Sequence, residues 1–228
     1  MAVYQDQLTE YTHDPGFQDG EGKPIFWKRT RFELITSGKF WFSRTPDVRS
    51  SDWGVPYPMG AVWVQLKDRQ TGAYLVHLNT HFEDGAEGEQ SRVESSKLIV
   101  TRLAHLTHET PVIVTGDFNC NPWSAAYNIF AAGGFTDTYR AAGQADSVAS
   151  STFHGYRGQQ YFSLEWGGEL FWRVDWILTT CCTRPRCALD SRRFGHFGAP
   201  HSVGEVWAVH RAAGERDRWA AERITGEA

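Results

Sequence analysis

The chain has 228 residues, a formal net charge of −4, 41% hydrophobic residues and 22% charged residues. That length suits one domain with a sizeable core, and the composition is that of a soluble globular protein rather than a disordered or fibrous one. The acidic balance excludes a global basic field for gripping long nucleic acid, and the lack of a long apolar run or a secretion signal gives the expectation of a cytoplasmic protein without a membrane span.

In chain order, residues 1–22 are polar, with turn signals at Asp14-Pro15-Gly16 and Asp19-Gly20 and no apolar strand. Lys23 to Ile35 reads as two short strands about a turn at Lys28–Arg31, and Ser37–Ser43 as a further aromatic strand. Thr45–Pro58 is a long loop with Pro46, Pro56 and Pro58; in a compact domain such a loop is functional or disordered. Ala61–Leu66 and Ala73–Thr80 form an antiparallel pair about the turn Lys67–Gly72, and the second strand ends at His81. Ile99, Val100, Leu103 and Leu106 mark an amphipathic helix over Ser91–Leu106. Pro111–Thr115 is a buried strand, Ser124–Ala132 a short helix stopped by Gly133-Gly134, and Thr136–Asp146 a polar loop. Leu170–Thr179 is a long strand carrying Arg173 and Asp175, and Arg211–Ala228 is a charged tail, a solvated helix or an unstructured end.

Most of the ten Trp residues are expected in packing, a few as stacking platforms. Cys120, Cys181, Cys182 and Cys187 make no disulfide framework, and the last three lack the paired Cys-x-x-Cys spacing of zinc sites, so reduced thiols are expected.

Four places carry candidate chemistry. In Gly116-Asp117-Phe118-Asn119, Asp117 and Asn119 lie two apart, so an extended backbone points both to one side. A carboxylate and an amide carbonyl there can hold a hard divalent cation and a phosphate oxygen, or can simply make an Asx turn. His81 closes the strand after Asn79-Thr80, as a hydrogen-bonded strand end or as a catalytic imidazole. Asp175 sits among Val174, Trp176 and Ile177 and needs a partner. Arg173 gives a structural salt bridge; a histidine across a site gives a functional pair. The segment from His196 to His201 is the fourth place; His154, outside these four, reads more as a loop histidine than as a ligand.

The ordered motifs NTHF (Asn79–Phe82), GDFN (Gly116–Asn119) and RVDWIL (Arg173–Leu178) resemble the endonuclease/exonuclease/phosphatase superfamily. The stretch PIFWKRTRFELITSGKFWFSRTPD resembles a bacterial subgroup of it, and the similarity runs over residues 23–180. The resemblance implies an α/β fold, a four-layer α/β/β/α sandwich of two mostly antiparallel sheets, here lacking the first strands. It implies one domain over residues 1–210, followed by the tail 211–228. By the same resemblance Asp117 orients or deprotonates the attacking water and Asn119 holds water and phosphate. His81 stabilises charge on the phosphate, and Asp175 fixes a catalytic histidine. His154 joins His81 and Asn119 in binding phosphate, Asp117 and Asn119 hold Mg²⁺ or Mn²⁺, and a monomer acts on a phosphoester of nucleic acid or of a small molecule.

Three features depart from that pattern. The family's metal-binding glutamate has no counterpart in residues 1–22. Counting back from the apolar Val206-Trp207-Ala208-Val209 puts His201, Ser202 and Val203 where the family has Ser, Asp and His, so His201 is the nearest substitute for the catalytic histidine. Met59 stands where the subgroup has an arginine. The expectation is an impaired metal-dependent phosphoesterase; the alternative is a non-catalytic phosphate- or nucleotide-binding remnant of the same fold.

Overall fold

A computed structural model describes residues 23–85, 87–107, 110–153, 173–180, 207–211 and 219–223. The chain divides into two units, Met1–Leu189 and Asp190–Ala228.

In the first unit, β1 (Phe32–Trp41), β2 (Gly60–Asp68) and β3 (Tyr74–His81) form an antiparallel meander. The Asp68 carboxylate accepts from the N–H groups of Gln70 and Thr71 and so sets the turn between β2 and β3. β1 corrects the expected pair of short strands: it is one ten-residue strand with a register shift between Leu34 and Thr36 that leaves Ile35 exposed. Gly38, paired with Trp63, lies under the Trp63 ring, where a Cβ would meet it at 2.9 Å. Pro24–Trp27, expected as a strand, is irregular chain; Ile25 and Trp27 still bury themselves against Val62, Val64 and Leu66 of β2.

α1 (Glu89–Thr107) crosses from β3 to the parallel strand β4 (Val112–Asp117), the connection that parallel pairing requires. α2 (Ala125–Ala132) starts where Ser124 accepts from the N–H of Tyr127. The expected polar loop after it holds two short elements, β5 (Phe135–Asp137) and α3 (Thr138–Ala141), because Asp137 caps α3 through the N–H of Tyr139. β6 (Asp175–Thr180) begins later than expected and inserts between β4 and β5, antiparallel to both, giving the order β1-β2-β3-β4-β6-β5.

The result is a mixed α/β fold with helices on one sheet face. Val76, Leu78, Val112, Val114, Trp176 and Leu178 pack there with Ile99, Leu103, Ala126 and Phe130 of the two helices. Phe118 is the hub of that core: Trp176 stacks on it at 4.3 Å, and Phe82 and Phe130 meet it edge-on at 5.1 and 5.5 Å. In the second unit β7 (Trp207–Arg211) and β8 (Trp219–Arg223) pair antiparallel. This corrects the expected helix or unstructured tail: backbone pairing with β7 gives Trp219–Arg223 a strand partner. No helix of the described residues is long and apolar enough to cross a membrane.

Phe118 is fully buried, so truncating it leaves a cavity between three rings. Phe118→Ala should cost about 3–5 kcal/mol of unfolding free energy in urea titrations; a loss below about 1 kcal/mol would contradict this core.

Candidate functional site

Strand pairing brings three of the expected residues into one row. His81 of β3 lies opposite Asp117 of β4, and Asp117 lies opposite Asp175 of β6. Side chains alternate along strands, so the three share the sheet face away from the helices, next to buried Thr80, Phe118 and Trp176 that point the other way. His81 Nε2 stands 3.5 Å from Asp117 Oδ2. Loop backbone knits the strand ends: Phe82 N–H donates to Asp117 O, and Phe42 N–H to Met59 O.

Gly116 sets how closely β3 and β4 approach beneath this row. A Cβ at Gly116 would lie 2.3 Å from Thr80 O, so a glycine is required there. After it the chain turns through Asn119, which has φ 47°, a left-handed conformation that Asn tolerates. Asn119 N–H donates to Asp117 Oδ1 at 2.9 Å. The Asx turn expected as one reading of this stretch is therefore present. Asn119 Nδ2 donates to Phe82 O at 2.7 Å, which commits the amide nitrogen and leaves Oδ1 as the end able to accept a ligand.

The Asp175 carboxyl is pushed up to about 6, first by the protein crowded around it and then by the neighbouring Asp117 carboxylate; a Thr152 hydrogen bond and His81 pull the other way. The residue is exposed on the open side of the sheet. The expected pairing of Asp175 with Arg173 is corrected. β6 starts at Asp175, strand alternation does not reach back to Arg173, and the guanidinium turns inward to Asp137 and Asp146.

Deeper on the same face lies a polar ladder that sequence reasoning missed. His77 Nε2 is 2.9 Å from Thr115 Oγ1, Thr115 Oγ1 donates to Asn79 Oδ1 at 3.1 Å, and Asn79 Nδ2 donates to Pro24 O at 3.0 Å. In the tautomer with the proton on Nε2, His77 donates to Thr115 Oγ1 and leaves the Thr115 proton for Asn79. The available signal was parity: His77, Asn79 and His81 share one side of β3.

His154, His201, Cys181, Cys182 and Cys187 lie outside the described residues. Cys120 is a buried free thiol, and Met59 packs in the core beside Phe40 and Phe42. Among the described residues no three His, Cys, Asp or Glu side chains group as a metal site. The oxygen donors of Asp117 and Asn119 are of the hard type that Mg²⁺ takes, and Mg²⁺ commonly keeps several waters and only one or two protein carboxylates.

Residues 6–189 match the endonuclease/exonuclease/phosphatase family. No curated protein sequence matches the chain. An endonuclease/exonuclease/phosphatase structure from Bacteroides vulgatus is similar at 29% identity and TM-score 0.61, over 72% of this chain and 62% of that one. A mannosyl-6-phosphatase from Bacteroides thetaiotaomicron is similar at 27% identity and TM-score 0.60, over 72% of this chain and 60% of that one. The catalytic domain of human Nocturnin, with bound sulfate, shares the fold at 20% identity and TM-score 0.50, over 68% of this chain and 50% of that one. The chain thus spans about three fifths of the length of the two Bacteroides proteins.

The ladder makes stability depend on pH. Burial pushes His77 from 6.5 down to about 4, so the unfolded chain takes up a proton first as pH falls. Stability is full above pH 6.5 and is lost as pH drops from 6.5 towards 4, on the order of 2–3 kcal/mol from this group. Urea midpoints at pH 7.5 and pH 4.5 should differ less in His77→Gln than in the wild type; equal differences would remove His77 as the cause.

Proposed function

The chain belongs to the endonuclease/exonuclease/phosphatase family, and from that premise we propose that it is a metal-dependent phosphoesterase, hydrolysing a phosphodiester or phosphomonoester with an activated water. The observation that carries the reading is the row of His81, Asp117 and Asp175 with Asn119 beside it. Three side chains able to accept or donate protons converge at the ends of three adjacent strands, around an Asx turn that fixes Asn119.

In this reaction water attacks phosphorus in line and the ester oxygen departs on the opposite side. Asp117 orients the water and takes its proton through Oδ2, the oxygen that faces His81. Asn119 presents Oδ1 to the water. His81 donates to a phosphate oxygen as negative charge builds. Asp175 would orient a histidine; His201 and His154, outside the described residues, are candidates from the sequence alone, for that histidine and for a phosphate contact respectively. Asp117 and Asn119 would hold Mg²⁺ or Mn²⁺, which when bound neutralises charge on the phosphate.

The altered residues around His201 lead us to expect slow turnover. A sugar phosphate is the first small substrate to test, because one relative is named a mannosyl-6-phosphatase; the net charge of −4 disfavours long DNA. We further propose a cytoplasmic monomer and, in full, the four-layer sandwich in one domain over residues 1–210.

The purified chain should release nitrophenol from bis-p-nitrophenyl phosphate, or phosphate from mannose 6-phosphate, with Mg²⁺ or Mn²⁺ and not with EDTA. Asp117→Ala should lower the rate at least about 100-fold. Undiminished turnover in that variant would reject the assignment. Phosphate binding without turnover at any metal concentration would leave the non-catalytic reading.

A further inference from the structure

Arg173 and Asp137 are each 3% exposed at the side chain, yet they form an ion pair of 2.6 Å, and Arg173 Nε makes a second one of 2.5 Å to Asp146. Around them the network closes. Arg140 takes the other oxygen of Asp146 at 2.6 Å, the Tyr127 hydroxyl donates to Asp137 Oδ2 at 3.1 Å, and the Tyr139 ring lies 4.9 Å from the Arg173 guanidinium. Two guanidinium charges balance two carboxylates. Burying such a network carries a desolvation cost that well-packed apolar side chains would avoid, so stability alone is a poor reason for it.

The backbone beside Arg173 suggests a different reason. Its N–H donates to Asn121 Oδ1 at 3.0 Å, and its carbonyl accepts from Trp176 Nε1 at 2.8 Å. Val174 O accepts from Phe118 N–H at 2.8 Å, and the N–H groups of Val174 and Asp175 both donate to Thr152 Oγ1, at 3.0 and 3.1 Å. Residues 173–175, which lead into β6, therefore touch two distant segments at once: the turn Asp117–Asn121 and Thr152. The contact to Asn121 spans 52 residues of sequence and those to Thr152 span 22 and 23.

We propose that Arg173 is a positioning residue: its buried guanidinium, gripped by Asp137 and Asp146, holds Asp175 and the Asp117–Asn121 turn in one register. Arg173 touches no reacting group: its side chain is buried and its Nε and Nη2 donors are committed to Asp146 and Asp137. The kinetic half of the claim rests on the phosphoesterase reading above; the structural half does not.

The test uses the full chain with Asp146→Asn, which keeps the shape and one acceptor oxygen and leaves Asp137 in place, alongside Arg173→Met. Hydrogen exchange is followed in peptides covering 118–123 and 174–178, with 61–66 as reference, and kcat and KM are measured on bis-p-nitrophenyl phosphate with Mg²⁺. Circular dichroism fixes the folded fraction. In folded Asp146→Asn, exchange in the two site peptides should rise about tenfold while 61–66 stays unchanged, and kcat should fall about tenfold with KM within about threefold. Arg173→Met should show the same pattern more strongly. Unchanged exchange in the site peptides, or a uniform rise that includes 61–66, overturns the proposal, as does unchanged kcat in a folded variant. If the wild type turns over no phosphoester, the phosphoesterase reading falls and exchange alone decides the positioning claim.

Discussion

The contact between Thr80 O and the bare Cα of Gly116 is the constraint on which the candidate site depends. β3 and β4 are parallel and joined by a long helical crossover, so no tight turn sets their register. Register comes from packing: Val76 and Leu78 with Val112 and Val114 on the helix face, and the close approach that only glycine permits at residue 116. A slip by one residue would swing Asp117 towards the core and Phe118 out of it. Phe118, held among Phe82, Phe130 and Trp176, resists that slip. The apolar core thus decides where the polar row falls.

The opposite face is divided into two electrostatic zones. The inner zone is the ladder of His77, Thr115 and Asn79, in which donors and acceptors match in sequence down to Pro24 O. Matching is what makes a buried imidazole and amide tolerable. The outer zone is the row of His81, Asp117 and Asp175, where two carboxylates face one another across neighbouring strands. Burial first, and the neighbouring Asp117 carboxylate second, push the Asp175 carboxyl up to about 6. Carboxylates crowded at a strand end are where a cation or a cationic group is most strongly favoured, which is the physical basis for reading this end of the sheet as a site.

Much of this was readable in the residues, and the failures have physical causes. α1, α2 and the β2–β3 hairpin follow from local periodicity and turn chemistry. GDFN and its neighbours marked candidate residues, but not that His81, Asp117 and Asp175 share a row; that needs β6 inserted beside β4, a long-range fact. β1 was expected as separate strands on either side of Thr36, whereas a register shift between Leu34 and Thr36 lets one strand run through. Thr136–Asp146 looked like a loop because its charges serve an arginine more than 25 residues away. His77 carried no local mark apart from its parity with Asn79 and His81.

The separation of Arg173 from Asp175 shows why the fold treats two neighbouring opposite charges so differently. Had they paired, the guanidinium would have held Asp175 below the usual carboxylate range and occupied an oxygen facing the row. Instead Asp137 and Asp146 draw Arg173 into the protein, and Asp175 is left beside Asp117, with its proton affinity raised. One charge is neutralised where it can anchor backbone; the other is kept uncompensated by arginine where chemistry is proposed. The short β5–α3 segment, which contributes little to the apolar core, makes that division possible, because Asp137 ends β5, caps α3 and grips Arg173 together.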